Sequence, residues 1–227
     1  MLLKISFLYF IEILASVSVK LPIIIGSITI KSFSNISYRI ILIYCLIYAL
    51  FEAIAWYYVL HHWQNHFLQN TMSYLDILFL GAYFFKVLDL SIMKKTVLLL
   101  ISATILFTLW SHWGSGRDFN RMDSFALSVG SLSLITMSLL FFYQLLNNLE
   151  IENILKYPHF WINVGILMYF SGAFFTFIFA EYITFSQDKS ISEYISINAF
   201  LLFIQRIFLA IGLWFSKTPQ QLSPSLK

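Results

Sequence analysis

Seven long apolar runs, separated by short polar connectors, take up nearly the whole chain. They fall at about residues 5–30, 39–60, 71–90, 95–113, 123–146, 158–181 and 196–215. Each is long enough to cross a hydrocarbon core of roughly 30 Å as a helix of about 20 residues. Stretches such as VLLLISATILF (97–107) lack the alternation of apolar and polar positions that a membrane strand requires. The pattern therefore predicts an all-α, polytopic seven-helix bundle forming one domain over residues 1–217, with a short cytoplasmic tail at 218–227.

The first run differs from the rest. Residues 1–19, with Lys4 ahead of ISFLYFIEILASVSV, have the look of a secretory signal. Glu12 interrupts the apolar stretch, however, and LPIIIGSITI resumes it after Lys20. The expectation is a retained first helix bent at Pro22. Orientation follows from the basic residues near the run ends. Lys31, Lys94, Lys95, Lys156, Lys217 and Lys227 lie on one side, with Arg39 and Lys86 at adjoining helix ends; Lys4, Arg117, Arg121 and Lys189 lie on the other. The heavier side is expected in the cytoplasm, which puts the N-terminus out and the C-terminus in. The expected location is the inner, cytoplasmic membrane.

Composition sharpens this. Charged residues make up 11% of the 227, against about 25% in a water-soluble domain, and mean hydropathy is +0.80, so a soluble globule is excluded. The net charge of +3 is spread over connectors, with no patch suited to nucleic acid. Lone Cys45 sits inside an apolar run and rules out a disulfide framework. Membrane lipid is the partner that composition itself implies; no cofactor is implied.

Polar residues inside the runs carry the chemistry. Arg206 lies near the centre of the seventh run, too deep for easy snorkelling, and should face the bundle interior with a partner. Gln205 adjoins it, and Asn198 stands seven residues before Gln205 on the same helical face. Glu52, Glu12 and Asp76 are the available acids, Glu52 being closest in depth. Together with deep Lys20, these residues compose a candidate ligand pocket in the outer half of the bundle. Buried ion pairing that only fixes helix packing is the alternative. Lys86 and Asp89, three apart, should pair at the cytoplasmic end of the third run.

His61, His62, His66 and His112, with Glu181, Asp118 and Asp123, fall at one predicted level. Imidazole and carboxylate suit Zn²⁺ or another divalent metal, although no established metal motif occurs. His62 and His66 would share a face if the second helix ran that far. Trp56, Trp63, Trp110 and Trp113 gather at the same level, as in an interfacial belt. Ser124, Ser128, Ser131 and Ser138, and Gly165 and Gly172, mark close helix packing, with Asn163 and Tyr169 adding polar contacts inside. The deep Lys of a microbial retinal protein is absent from the last run, as are a Ser–His–Asp pattern and a phosphate-cradling glycine loop.

The stretches YRIILIYCLIYALFEAIAWYYVL (38–60), NHFLQNTMSYLDILFLGAYFF (65–85) and PHFWINVGILMYFSGAFFTFIF (158–179) resemble a group of small seven-helix membrane proteins of Bacteroidota. The resemblance covers roughly residues 38–180 and lies in texture, not in a chemical motif; Asp76 stands where Glu or another polar residue is expected. It implies a stand-alone sensor or signalling component, some members being encoded near sensor histidine kinases. The group carries no established site residues.

The leading functional expectation is thus a receptor-like or accessory protein in signal sensing. It would bind a small-molecule or lipidic ligand in the outer polar cavity and act through a separate effector, such as a histidine kinase. The alternatives are a small-solute transporter or channel, a membrane enzyme acting on lipid, and a structural subunit. A non-enzymatic role is favoured, and nucleic acid is not an expected partner.

Overall fold

Pro22 shapes the start of the fold. Lacking an N–H, proline cannot bond the carbonyl four residues back, here Ser18, and its ring crowds that carbonyl. In the computed structural model, α1 (Leu2–Ser18) accordingly ends at Ser18, and α2 begins at Lys20 and runs to Thr29. The interruption comes at Val19, three residues before Pro22, where the bend is expected. Residues 2–32, 35–114, 122–147, 153–185 and 191–217 are described. Among them there is no strand, and the helices that follow are α3 (Ile36–Leu60), α4 (His66–Val87), α5 (Ser91–Leu109), α6 (Ser124–Asn147), α7 (Pro158–Phe185) and α8 (Ile191–Phe215).

Local chemistry sets several of these boundaries. The Asn35 side chain accepts the Ser37 N–H at 3.1 Å and caps α3. Asp123 does the same for α6, its Oδ1 accepting the Ala126 N–H at 3.0 Å. Proline at the first position of α7 has no N–H to leave unpaired. At the far end of α3 the Trp63 N–H reaches the Tyr58 carbonyl at 2.9 Å and the His62 N–H reaches Val59 at 3.1 Å. That is a Schellman stop, and it places His62 at φ 57°.

Six segments are long and apolar enough to span a membrane: Tyr9–Thr29, Ile36–Leu60, Ser91–Trp113, Ser124–Asn147, Pro158–Phe179 and Ser196–Phe215. The chain is a multi-pass membrane protein, as the apolar pattern predicts. α4 stands outside that set. Its 22 residues suffice for length, but Gln69, Asn70, Ser73 and Asp76 occupy its first half.

Each helix packs on its neighbours in sequence, and the first segment closes the circle by touching both α3 and α8. α4 also reaches across to α6. The α6–α7–α8 side is the most enclosed, whereas α3 and α5 show more of their surface outward. α7 and α8 approach closely where glycines remove side chains. A Cβ on Gly165 would lie 2.8 Å from the Phe208 Cβ, and one on Gly212 would lie 2.9 Å from the Pro158 carbonyl oxygen. The small-residue expectation for α6 divides. Ser138 donates across to Asn163 Oδ1 at 2.7 Å, with Asn163 Nδ2 donating back to the Ser138 carbonyl, and Ser133 meets Thr104 of α5 at 2.7 Å. Ser128 and Ser131 instead donate to carbonyls of their own helix.

Candidate functional site

The geometry around Arg206 begins with a helix end. Ala15 is among the last four residues of α1, whose carbonyls have no intrahelical donor and carry the negative end of the helix dipole. Arg206 Nη1 donates to that Ala15 carbonyl, and Ser18 Oγ donates to it as well, at 2.6 Å. The guanidinium forks onto Glu52 of α3, Nη2 to Oε2 at 3.0 Å and Nη1 to Oε1 at 3.4 Å. Arg206 is only 3% exposed and Glu52 20%, so the guanidinium is taken out of solvent and is stabilised by fixed geometry and added bonds. Ser16 supplies one of these, donating to Glu52 Oε1 at 3.0 Å, and the Trp56 indole N–H donates in turn to Ser16. The Tyr48 ring covers the guanidinium at 5.1 Å, a cation–π contact. Three elements, α1, α3 and α8, are thereby tied at one point.

Beside this cluster lies a cavity of about 240 Å³, bordered by α3, α4, α6, α7 and α8. Glu52, Asp76 and Asn198 are on its wall, and so are the aromatic rings of Tyr48, Phe51, Tyr169, Phe170 and Phe177. Its position is set by α4. Asn65, Gln69, Ser73 and Asp76, spaced by four, four and three residues, form a polar stripe along one helical face, and all four border the cavity. Asn65 belongs to the α3–α4 connection, so the stripe leads from that polar end of the bundle inward to Asp76. The Asp76 carboxylate accepts the Tyr44 hydroxyl at 3.0 Å. The Tyr169 hydroxyl interacts with Asn198 and Tyr48. Asn198 Oδ1 is buried without a partner among the described residues.

The structure thus brings Glu52 to Arg206 and places Asp76 and Asn198 on the same cavity wall as Glu52. It does not gather the others. Asp76 makes no ion pair with Arg206; its described donor is Tyr44. Glu12 is half-exposed on α1, about a turn beyond the Ala15–Ser18 segment that meets the guanidinium, and borders neither the cluster nor the cavity. Lys20 is exposed at the start of α2, away from the cavity. Gln205 is buried against the α7 glycine seam, its Nε2 without a partner among the described residues, and it does not line the cavity.

Other expectations are corrected. The Lys86–Asp89 pair does not form: α4 stops at Val87, and Asp89 instead bonds Gln144 of α6, whose Nε2 donates to Oδ2 at 3.1 Å and whose Oε1 accepts the Asp89 N–H at 2.7 Å. No three His, Cys, Asp or Glu residues come together as metal ligands among the described residues. His61, His62 and His66 are exposed around the α3–α4 connection, and the Schellman stop prevents His62 and His66 from sharing a helix. His112 is buried elsewhere, its Nδ1 bonded to the Thr108 carbonyl at 2.9 Å and 3.8 Å from Asp123. Asp118 and the Glu181 side chain lie outside the described residues. Trp56 is turned inward to Ser16, while Trp63, Trp110 and Trp113 are exposed as belt residues would be.

His62 has a structural duty. A side chain with a Cβ at φ 57° carries a local cost that glycine avoids. His62→Gly is expected to raise stability by about 0.5–1 kcal/mol in detergent unfolding, without altering the cavity.

Missed in the sequence were Tyr44, Tyr48 and the Gln69–Ser73 part of the stripe. The spacing of Asn65, Gln69, Ser73 and Asp76 was the available signal. Comparison with protein-family models, with curated proteins and with solved structures finds no match to this chain.

Proposed function

We propose that this protein is a receptor-like or accessory component of signal sensing in the inner membrane, with seven spans, the N-terminus out and the C-terminus in. α4 supplies the seventh span, its polar stripe turned to the cavity instead of to lipid. A small ligand entering from the α3–α4 side occupies the cavity and is reported by a separate effector, such as a histidine kinase, on the cytoplasmic side.

One observation carries this reading: Glu52 borders the cavity and also holds Arg206. An occupant that touches Glu52 acts on the same bonds that fasten α8 to the end of α1. Binding that favours one arrangement of those bonds shifts the population toward it, by no more than the difference in affinity between the two arrangements. The polar border, α4 included, also supports the ligand role, because polar groups within membrane segments are costly unless they pair or face a cavity.

Filling the cavity tests the proposal. Ala55 lies on its wall, and Ala55→Trp should occupy it while leaving the Arg206–Glu52 pair in place. Native mass spectrometry of gently extracted protein is expected to find a small molecule on the parent chain and none on the variant. Crosslinking in native membranes should recover an effector with the parent chain. Retention of the bound molecule by a folded Ala55→Trp variant would overturn the assignment of the cavity.

A further inference from the structure

We propose that the cavity takes a small organic cation, a protonated amine on a single-ring or similarly sized apolar body, with its ammonium group set between Asp76 and Asn198. This rests on the ligand-binding reading of the cavity.

The first argument is the balance of charge. No Lys or Arg borders the cavity, whereas Glu52 and Asp76 both do. The Glu52 charge is answered by Arg206, whose guanidinium is spent on that carboxylate, on the Ala15 carbonyl and on Ser18, with the Tyr48 ring across it. Asp76 has no cationic partner among the described residues; one phenol, Tyr44, donates to it. A carboxylate in that position is completed by a positive ligand, and an anion would meet repulsion there.

The second argument is the presence of acceptors on the wall. Ser73 gives its hydroxyl proton to the Asn70 carbonyl at 2.7 Å, and Ser131 gives its own to Leu127 at 2.9 Å. Both oxygens therefore act toward any other group as acceptors. Asn198 Oδ1 is an acceptor with no donor among the described residues. These three acceptors can take donors from a ligand, and an ammonium group brings as many as three.

The third argument is the surround. Phe51, Tyr169, Phe170 and Phe177 border the cavity with aromatic side chains, whose apolar area suits a hydrocarbon body and whose rings suit a nearby cation. At about 240 Å³ the space is below the roughly 300–1,000 Å³ of pockets that bury drug-sized ligands, which sets the size limit.

Three probes of similar size but different charge decide the matter: 2-phenylethylamine, 2-phenylethanol and 3-phenylpropanoate, titrated calorimetrically into the full chain in nanodiscs at pH 7. The amine is expected to bind at least about tenfold more tightly than the alcohol, as charge-assisted bonds allow, and the carboxylate not at all. Ala55→Trp should abolish amine binding, which assigns it to the cavity and not to the lipid. Asp76→Asn should bring amine and alcohol to similar affinity. Because that variant could misfold, Tyr44→Phe serves as the second: removing the described donor to Asp76 should preserve or strengthen the preference for the amine. Equal binding of alcohol and amine, preference for the carboxylate, or no binding by any probe would each overturn the cation assignment. The broader reading is judged separately, since displacement of a co-purified neutral molecule by Ala55→Trp would uphold the cavity without the amine.

Discussion

Arg206→Leu is expected to cost about 3–5 kcal/mol of stability, the largest effect of any single substitution proposed for this chain. The loss comes less from the missing attraction than from what remains behind. Glu52 would stay in the bundle with Ser16 as its described donor, and a carboxylate without its cation is expensive where water is scarce. The Ala15 carbonyl fares better, because Ser18 still donates to it. The double variant Glu52→Leu/Arg206→Leu should therefore recover most of the loss, to within about 1 kcal/mol of the parent, since apolar replacements of a buried pair are often neutral. Reversible unfolding in bicelles, read on both singles and the double, gives the coupling between the two sites. Near-additive losses would show that the pair is not the source of the cost. A double variant that is stable but no longer responds to an occupant would place the pair in the switching step.

Gly212→Ala is expected to cost about 1–3 kcal/mol, although alanine is the better helix former. The new Cβ would lie 2.5 Å from Ile162 Cγ1 and 2.9 Å from the Pro158 carbonyl oxygen. A side-chain tip can rotate away; a carbonyl in the first turn of α7 cannot, so α7 and α8 must separate. Gly165→Ala meets a similar obstacle, with the Phe208 Cβ at 2.8 Å and the Gln205 carbonyl oxygen at 3.1 Å. Gly130→Ala is the control. Its Cβ finds nothing nearer than a Thr104 methyl at 3.9 Å, so the gain of about 0.5–1 kcal/mol from helix propensity should appear. Equal behaviour of all three in the same unfolding assay would remove the close-approach account of the α7–α8 seam.

The helical, membrane-embedded character was legible because a run of about 20 apolar residues has few other readings. Arg206 was legible as a buried charge for the same reason, and depth alone ranked Glu52 first among its acids. Rotation about the helix axis was harder to read. Glu12 and Lys20 sit at plausible depths yet face elsewhere. Depth also misassigned Trp56, which turns inward, and the histidines, which a backbone stop separates. The role of the Ala15 carbonyl could not be read at all, since main-chain acceptors leave no trace in residue identity. The α4 stripe was written in the spacing, but its four residues are individually unremarkable in type, and only the cavity gives them a common purpose.

Closure of the circle by the first segment has a consequence for biosynthesis. The contacts that settle Arg206 join residues 154 and 191 positions apart, so the guanidinium is made long after its acceptors. α1 and α3 must wait, with Ser16 and Ser18 as the described donors to Glu52 and the Ala15 carbonyl, until α8 leaves the ribosome and the insertion machinery. Ribosome-bound chains that stop short of residue 206 should then hold their first segment loosely, as prey for quality-control proteases. Completion of α8 is the event that fastens the first segment in place.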